Sequence, residues 1–290
     1  MIGEVLALFA SFCWALAAVL YKKVLEHKGY FIVNLLRVAF ASIFLAFIFL
    51  FINAYSLFLA SKELFFFIFA AVNGIVIGDT LYFIGLKRIG VSRTQSISSS
   101  YPLYSMLLAA IFLNEKLNFT IILATPLIVF GIILVIPIEE KTYLVDRFSM
   151  FSLVAPVLTA FFWSISLITF KFILINGCNP IFAVFINRVI SLPFLFFIAA
   201  STKELTQIRN LSKLDLFLVA IAGIISLGIG GISLFLSLSS LNASKAIPLS
   251  SISPFFAFIL AFIYNKEKLN AKIIAGTTFI IMGVILLTLF

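Results

Sequence analysis

Charged side chains are scarce in this sequence. Asp, Glu, Lys and Arg together make up 11% of its 290 residues, whereas hydrophobic residues make up 63%. The mean hydropathy is +1.25. Because a soluble domain carries about a quarter charged residues, this composition excludes a water-soluble globular protein. It predicts a chain whose solvent is lipid.

Residues that build metal sites and catalytic centres are also few. The chain has one histidine, His27, and two cysteines, Cys13 and Cys178, which show neither metal-ligand spacing nor a disulfide pattern. Paired acids, a histidine cluster or an activated nucleophile are missing from the apolar segments. No nucleotide-binding loop is recognisable either. The sequence therefore predicts no enzyme, no metal site and no cofactor.

Long apolar runs fill the chain. A bilayer core is about 30 Å thick and needs about 20 apolar residues per crossing, so a chain of this length allows roughly ten crossings. Each run is predicted as a helix, because lipid cannot satisfy the backbone groups of an open sheet edge. The predicted spans are 4–21, 31–53, 64–86, 92–113 and 118–137, followed by 150–173, 180–200, 214–239, 243–264 and 271–290.

The two sets of five spans share features at a long period. The two tryptophans, Trp14 and Trp163, lie 149 positions apart, and the near-identical segments 114–118 and 266–270 lie 152 positions apart. Ordered matches of this kind indicate a duplicated half. Further pairs at offsets of 149 to 152 are Lys22 and Lys171, Gly74 and Gly223, Arg37 and Arg188, Pro102 and Pro254, and Gly131 and Gly283.

An odd number of spans per half sets the relation between the halves. Equivalent helices then cross the bilayer in opposite directions, as in the inverted repeats of transporters. We predict an all-α polytopic membrane protein with ten transmembrane helices, arranged as two inverted five-helix repeats around a central cavity. The first repeat covers residues 1–138 and the second covers 150–290, and the polar stretch 139–149 links them.

These motifs carry a resemblance to a known family. A tryptophan early in spans one and six, an arginine early in spans two and seven, and a proline followed by Glu-Lys-Leu at 115–117 and 267–269 resemble EamA-type members of the drug/metabolite transporter superfamily. The resemblance covers essentially the whole chain. It implies a ten-helix basket whose cavity is lined mainly by helices one, three, four, six, eight and nine. It also implies export or exchange of small metabolites such as amino acids or nucleotide sugars.

We interpret the chain as a carrier that moves small metabolites, amino acids or similar compounds, across the cell membrane by alternating access, as an exporter or a facilitator. Fused halves make a monomer sufficient, and protons are a candidate coupling ion. Two alternatives stay open at this point. A channel would need a continuous polar stripe, and a lipid scramblase would have a similar composition; neither needs a saturable central site.

Charge in the loops predicts the orientation. The loops after odd-numbered spans carry fourteen Lys and Arg residues, whereas Lys62, Lys116 and Lys245, with Lys171 at the end of span six, lie on the opposite side. The positive-inside rule then places the odd-numbered loops in the cytoplasm and both termini outside. A net charge of +9 spread in this way fits membrane orientation and predicts no nucleic-acid partner.

Two tryptophans and one acid are the first candidates for substrate binding. Trp14 and Trp163 lie well inside their spans, where indoles facing one cavity would stack on planar or apolar substrates; interfacial anchoring is the alternative. Asp79 lies within span three, where an ionised group costs about 2.5 to 3.5 kcal/mol on insertion scales. It is predicted to bind a substrate ammonium or a proton, or else to pair with Arg93 or Lys171. Tyr82 lies one turn further along the same helix face.

Hydroxyl-rich runs next to prolines complete the predicted site. Ser99 and Tyr101 precede Pro102 in span four, and Ser250 and Ser253 precede Pro254 in span nine. A proline removes an amide donor and frees a carbonyl, and neighbouring hydroxyls can satisfy the broken helix. We predict Pro102 and Pro254 as hinges and the four hydroxyl residues as cavity ligands, with helix packing as the alternative.

Several charged residues receive structural interpretations. Arg37 and Arg188 are predicted to anchor or cap their helices by reaching towards the interface, and recognition of a substrate carboxylate or phosphate is the alternative. Lys171 is predicted as a helix-end residue. Glu115 and Glu267 are predicted to cap helices or to form gates between the halves.

Overall fold

The structure is a computed structural model that describes residues 1–51, 61–89, 94, 97–135, 150–256, 259 and 271–289. Within these ranges the chain is helical and contains no β-strand. The predicted linker 139–149, Arg93 and Glu267 lie outside the described residues. The helices are α1 (Ile2–Leu25), α2 (Tyr30–Phe51), α3 (Ser61–Ala71), α4 (Asp79–Ile89), α5 (Tyr101–Leu113), α6 (Phe119–Val135), α7 (Met150–Ile175), α8 (Pro180–Ser201), α9 (Lys213–Gly223), α10 (Gly231–Ser240), α11 (Ala243–Ser250) and α12 (Ala271–Leu289).

Six described helical stretches are long and apolar enough to cross a membrane. They match predicted spans one, two, three, six, seven and eight, and they are Ile2–Leu25, Tyr30–Phe51, Glu63–Arg88, Val154–Ile175, Pro180–Ser201 and Lys213–Ser240. Shorter apolar helices occupy spans four, five and ten. The prediction of an all-helical, polytopic membrane protein is confirmed, and the number of ten spans stays a prediction.

Turns interrupt spans four and nine near the two prolines at which broken helices were predicted. A turn at 99–100 precedes α5, and a turn at 251–252 follows α11. Pro102 is the second residue of α5, and Pro254 lies in the helical stretch 253–256. The physical reason for the breaks is that proline has no amide hydrogen to donate to the preceding turn.

Two π-helical segments interrupt spans three and eight. Val72–Gly78 connects α3 to α4, and Ile224–Gly230 connects α9 to α10; each has seven residues and follows an eleven-residue α-helix. Such segments are uncommon and often mark functional sites, because the wider turn releases backbone carbonyls from the helix ladder. The sequence pattern did not predict them.

The helices pack crosswise between the two parts of the chain. From the first part, α1 packs along α9, α10 and α11, while from the second part α7 packs along α3, α4 and α5. Helices α2 and α8 pack against each other, so the two π-helical segments lie near the middle of the bundle. This interleaving places residues from both parts around one central space.

Helices α6 and α12 form a closely packed pair beside the bundle. A Cβ atom at Gly131 would lie 2.7 Å from the carbonyl oxygen of Gly276, and one at Gly283 would lie 2.5 Å from Ile128 Cγ1. Small residues at such contacts let helix backbones approach one another in lipid, where packing rather than hydrophobic burial drives association.

The substitution Gly131→Val should therefore destabilise the protein. Its side chain would force the backbone of α12 away, and overpacking of this kind costs about 1–3 kcal/mol. The melting temperature of the detergent-solubilised protein measures the effect. Ile133→Leu, on an exposed position of the same helix, is the matched control. An unchanged melting temperature for Gly131→Val would contradict the close packing.

One end of the bundle is tied together by loops that follow odd-numbered spans. His27 Nε2 lies 3.0 Å from Asp215 Oδ1, and Lys28 Nζ donates to the carbonyl oxygen of Asn210 at 2.6 Å. Lys87 Nζ in turn donates to the carbonyl oxygen of Lys28 at 3.2 Å. Loops one, three and seven therefore share one end, which we call the His27 end.

The opposite end, which we call the Glu115 end, is held by two capping contacts. Lys171 Nζ donates to the carbonyl oxygens of Leu238 and Leu241 at 2.7 and 2.6 Å, where α10 finishes. The Glu115 carboxylate accepts from the amides of Ala243 and Ser244 at 2.7 and 2.9 Å, where α11 begins. Both residues cap helices, in agreement with their structural interpretation.

Candidate functional site

A cavity of about 190 Å³ lies at the centre of the bundle, between the two π-helical segments. Spans one, three, four, six, eight and nine all contribute to its wall, as the family resemblance implies, and spans two and seven contribute arginines. The lining is mainly aromatic and aliphatic. Its charged residues are Arg37, Asp79 and Arg188.

An ion pair between Asp79 and Arg37 forms one wall of the cavity. Asp79 is the first residue of α4, directly after the π-helical segment, and its Oδ2 accepts a hydrogen bond from Arg37 Nη2. Arg37 Nε also donates to Asn34 Oδ1 at 2.9 Å. Both charged residues are buried, at 9% and 6% exposure. In this setting neither charge is stable without its partner.

This pairing corrects two predictions. The partner of Asp79 is Arg37, while Lys171 lies at the Glu115 end and is bonded to carbonyl oxygens. Arg37 does not reach towards the interface but lies over the rings of Tyr21 and Phe83, at 5.2 and 4.5 Å from their centroids. The reason is that the carboxylate and the aromatic faces stabilise the positive charge of the guanidinium inside the protein. The side chain therefore does not have to extend to the membrane interface.

Trp163 connects this ion pair to the aromatic wall. Its Nε1 donates to Asp79 Oδ1 at 2.9 Å, so both carboxylate oxygens have donors. The indole lies 5.1 Å from the Tyr82 ring and 5.9 Å from the perpendicular Tyr101 ring, measured between centroids. Trp163 therefore orients the carboxylate and presents an aromatic face to the cavity.

Trp14 occupies a comparable place at the second π-helical segment. Its Nε1 donates to the carbonyl oxygen of Ser226 at 3.1 Å, and the Tyr21 hydroxyl lies 2.9 Å from Ser226 Oγ. A Cβ at Gly230 would lie 3.2 Å from Trp14 Nε1. Trp163 lies against Gly78 in the same way. Each tryptophan therefore contacts the π-helical segment of the other part of the chain.

Arg188 is the second buried arginine of the cavity, at 7% exposure. Its guanidinium donates to Asn187 Oδ1 and, through Nε and Nη2 at 3.4 and 3.3 Å, to the carbonyl oxygen of Leu227. Among the described residues no carboxylate lies within 4.0 Å of it. The anchoring interpretation is wrong here as well, because a carbonyl of the π-helical segment holds this side chain inside the protein.

The predicted hydroxyl residues are only partly brought together. Ser99, Tyr101 and Ser253 line the cavity. Ser250 does not; it lies behind Tyr101, with its Oγ 3.3 Å from the tyrosine hydroxyl. Pro102 and Pro254 are buried next to these residues. Of the eight predicted ligands, seven line the cavity, and a role of the prolines as hinges stays a prediction.

The sequence analysis did not predict that both arginines line the cavity. It also did not predict that carbonyl oxygens of the π-helical segments accept from Trp14 and Arg188. One sequence feature could have predicted the role of the arginines. Arg37 and Arg188 are separated by nearly the same number of residues as the two tryptophans, and charged residues within apolar membrane segments usually have a function. The described residues contain no group of three His, Cys, Asp or Glu side chains that could hold a metal ion.

Comparison with known proteins agrees with this architecture. The sequence pattern of the EamA-like transporter family matches residues 1–136 and again residues 150–289. The chain belongs to the EamA-like transporter family. An uncharacterized transporter of Archaeoglobus fulgidus is 28% identical over 291 residues, which cover 100% of this chain and 99% of that protein. An uncharacterized transporter of Synechocystis is 26% identical over 113 residues, covering 38% of this chain and 32% of that protein.

A solved crystal structure shares the fold of this EamA-like transporter. It superposes with a TM-score of 0.78 and 14% sequence identity, covering 99% of this chain and 96% of that one. At this identity the likeness concerns the fold alone. Family membership and apolar helices together establish a multi-pass membrane protein of a transporter family.

Proposed function

We propose that this EamA-like transporter carries small metabolites, amino acids or similar compounds, across the cell membrane by alternating access, as an exporter or a facilitator. The observation that carries the proposal is the central cavity, in which a buried ion pair and both tryptophans meet between the two parts of the chain. Small-molecule sites are typically concave, largely apolar and fitted with a few fixed polar groups.

Paired features of the two parts of the chain support an inverted repeat and, with it, the alternating-access part of the proposal. The two π-helical segments start 152 positions apart, at Val72 and Ile224, and each receives the tryptophan of the other part. The family pattern also matches the chain twice. In transporters built from inverted repeats, one half rocks against the other around a fixed site near the bilayer midplane.

The chemistry of the cavity favours an amphipathic substrate. Its aromatic wall suits planar or apolar groups of a substrate. The ion pair and the carbonyl oxygens of the π-helical segments suit the polar groups of the same substrate. The Asp79 carboxylate is also the candidate group for proton coupling. Its pairing with Arg37 and Trp163 is an arrangement that a proton or a substrate could rearrange during transport.

Uptake into liposomes tests the proposed function. Purified protein should give saturable uptake of at least one member of a panel of labelled amino acids, nucleotide sugars and organic cations, compared with and without a pH gradient. Arg209→Gln, an exposed position remote from the cavity, is the control variant and should retain wild-type uptake. Unsaturable flux of ions or small solutes would favour a channel instead, and flipping of labelled lipids without solute uptake would favour a scramblase.

A further inference from the structure

The two arginines of the cavity occupy comparable positions but differ in their counter-ions. Asp79 directly follows the first π-helical segment and pairs with Arg37, whereas Gly231 directly follows the second and lies beside Arg188. Where the first half has a carboxylate, the second half has no side chain.

Beside Arg188 lies a buried donor that has no acceptor. Arg188 donates to the carbonyl oxygen of Leu227 and to Asn187 Oδ1, but to no anion among the described residues. The Nδ2 atom of Asn187 is buried and has no hydrogen-bond partner. Both side chains line the cavity and are more than nine-tenths buried. An unsatisfied buried amide beside a buried guanidinium is unfavourable unless a ligand accepts its hydrogen bonds.

Glycine at position 231 lets the Arg188 guanidinium lie directly against the backbone of α10. A Cβ there would lie 2.8 Å from Arg188 Nη2 and 3.2 Å from Val184 Cγ1, so a larger residue would displace the guanidinium. The guanidinium therefore takes the space that a side chain at this position would need, and it lines the cavity without a carboxylate partner among the described residues.

Charge balance selects the kind of anion. Among the described residues, the charged side chains of the lining are two arginines and one aspartate, which give a net charge of +1. A monovalent carboxylate would bring the site to neutrality, whereas a phosphate with about two negative charges would leave an uncompensated buried charge. Guanidinium groups also bind planar carboxylates in a two-pronged geometry.

We propose that Arg188 and Asn187 form the binding site for the carboxylate group of the transported substrate, within the central cavity that both side chains line. This inference deepens the proposed carrier function and defines its substrates as monocarboxylates. Arg37 has no such role because Asp79 already neutralises it.

Tryptophan fluorescence gives a binding assay that needs no transport. The chain contains two tryptophans, and both line the cavity, so selectively excited emission reports on this site. We would titrate the detergent-solubilised wild-type protein with phenylacetate, with its neutral analogue phenylacetamide and with inorganic phosphate. Phenylacetate should give a saturable change at a concentration at least about tenfold lower than either of the other two probes.

Size-matched variants at Gly231 that differ in charge locate the carboxylate site. Gly231→Asp would place a tethered carboxylate beside Arg188, and we expect it to weaken phenylacetate binding more than tenfold relative to Gly231→Asn, which has the same size without the charge. Arg188→Gln should weaken binding by about tenfold or more, since a hydrogen bond to a charged group is lost.

Two outcomes would overturn the assignment. One is equal or stronger binding of phenylacetamide or phosphate by the wild-type protein, a result that does not depend on any variant folding. The other is equal affinity of Gly231→Asp and Gly231→Asn. Uptake of labelled phenylacetate and phenylacetamide into liposomes separates this inference from the proposed function. Selective phenylacetate binding without uptake of phenylacetate or of any panel member would retain the carboxylate site and refute the carrier. Saturable uptake of phenylacetamide as fast as phenylacetate would retain the carrier and refute the carboxylate site.

Discussion

Asp79→Asn is expected to abolish saturable uptake and to lower stability. The substitution removes the negative charge that compensates Arg37 in a buried site and changes the group that accepts from Trp163. Breaking a buried pair by removing one partner costs about 3–5 kcal/mol, because the remaining charge stays uncompensated. Thermal melting in detergent gives the loss of stability, and uptake into liposomes gives the loss of function.

A double variant separates the structural part of this effect from the functional part. In Arg37→Gln with Asp79→Asn both members of the pair are neutral, so position 37 no longer carries an uncompensated charge, and we expect most of the lost stability to return while uptake stays at background. Full uptake by the double variant would show that the ion pair only stabilises the fold. Wild-type stability and uptake in Asp79→Asn alone would refute the importance of the pair.

Trp163→Ala is expected to reduce kcat/KM for uptake by about 100-fold. The change removes the donor to Asp79 and the aromatic face beside Tyr82 and Tyr101. A hydrogen bond to a charged group contributes about 1.5–3 kcal/mol, and an aromatic pair adds about 0.5–1.5 kcal/mol. At about 1.4 kcal/mol per factor of ten, these two losses together amount to about two orders of magnitude.

Trp163→Phe is the matched comparison because it keeps a ring and loses the N–H donor. We expect it to lie between wild type and Trp163→Ala, with about a tenfold reduction. Concentration series of uptake at fixed protein content measure kcat and KM for each variant. A value for Trp163→Phe equal to that for Trp163→Ala would assign the whole effect to the hydrogen bond, and equality with wild type would assign it to the ring.

Two parts of the site show how far local sequence signals reach. Trp14, Trp163 and Asp79 could be predicted because aromatic and acidic residues deep in apolar segments stand out against their neighbours, and the structure places all three at one cavity. The partner of Asp79 could not be predicted, since Arg37 lies 42 residues away and nothing in the local pattern distinguishes it from other basic residues. Only the packing of α2 beside α4 brings the two together.

The π-helical segments mark a second limit. Val72–Gly78 and Ile224–Gly230 have the same apolar composition as ordinary helix, and their extra residue per turn leaves no trace in the hydropathy. The π-helical segments set the positions of Asp79 and Gly231, which directly follow them. They also provide the carbonyl oxygens that accept hydrogen bonds from Trp14 and Arg188. Ser250 was misplaced for a related reason, because the turn at 251–252 changes which side of the helix faces the cavity.

The sequence by itself determined the membrane environment and the apolar spans, because segments of apolar side chains are more stable in lipid than in water. It determined the helical class as well, because in lipid the backbone groups of each segment must bond within that segment. It also determined the paired features of the two halves, since these are copies in the chain itself. Only the tertiary structure decided which buried charges compensate each other and which buried donors have no acceptor. These depend on contacts between distant segments, where ångström differences in helix packing separate a satisfied group from an open binding position.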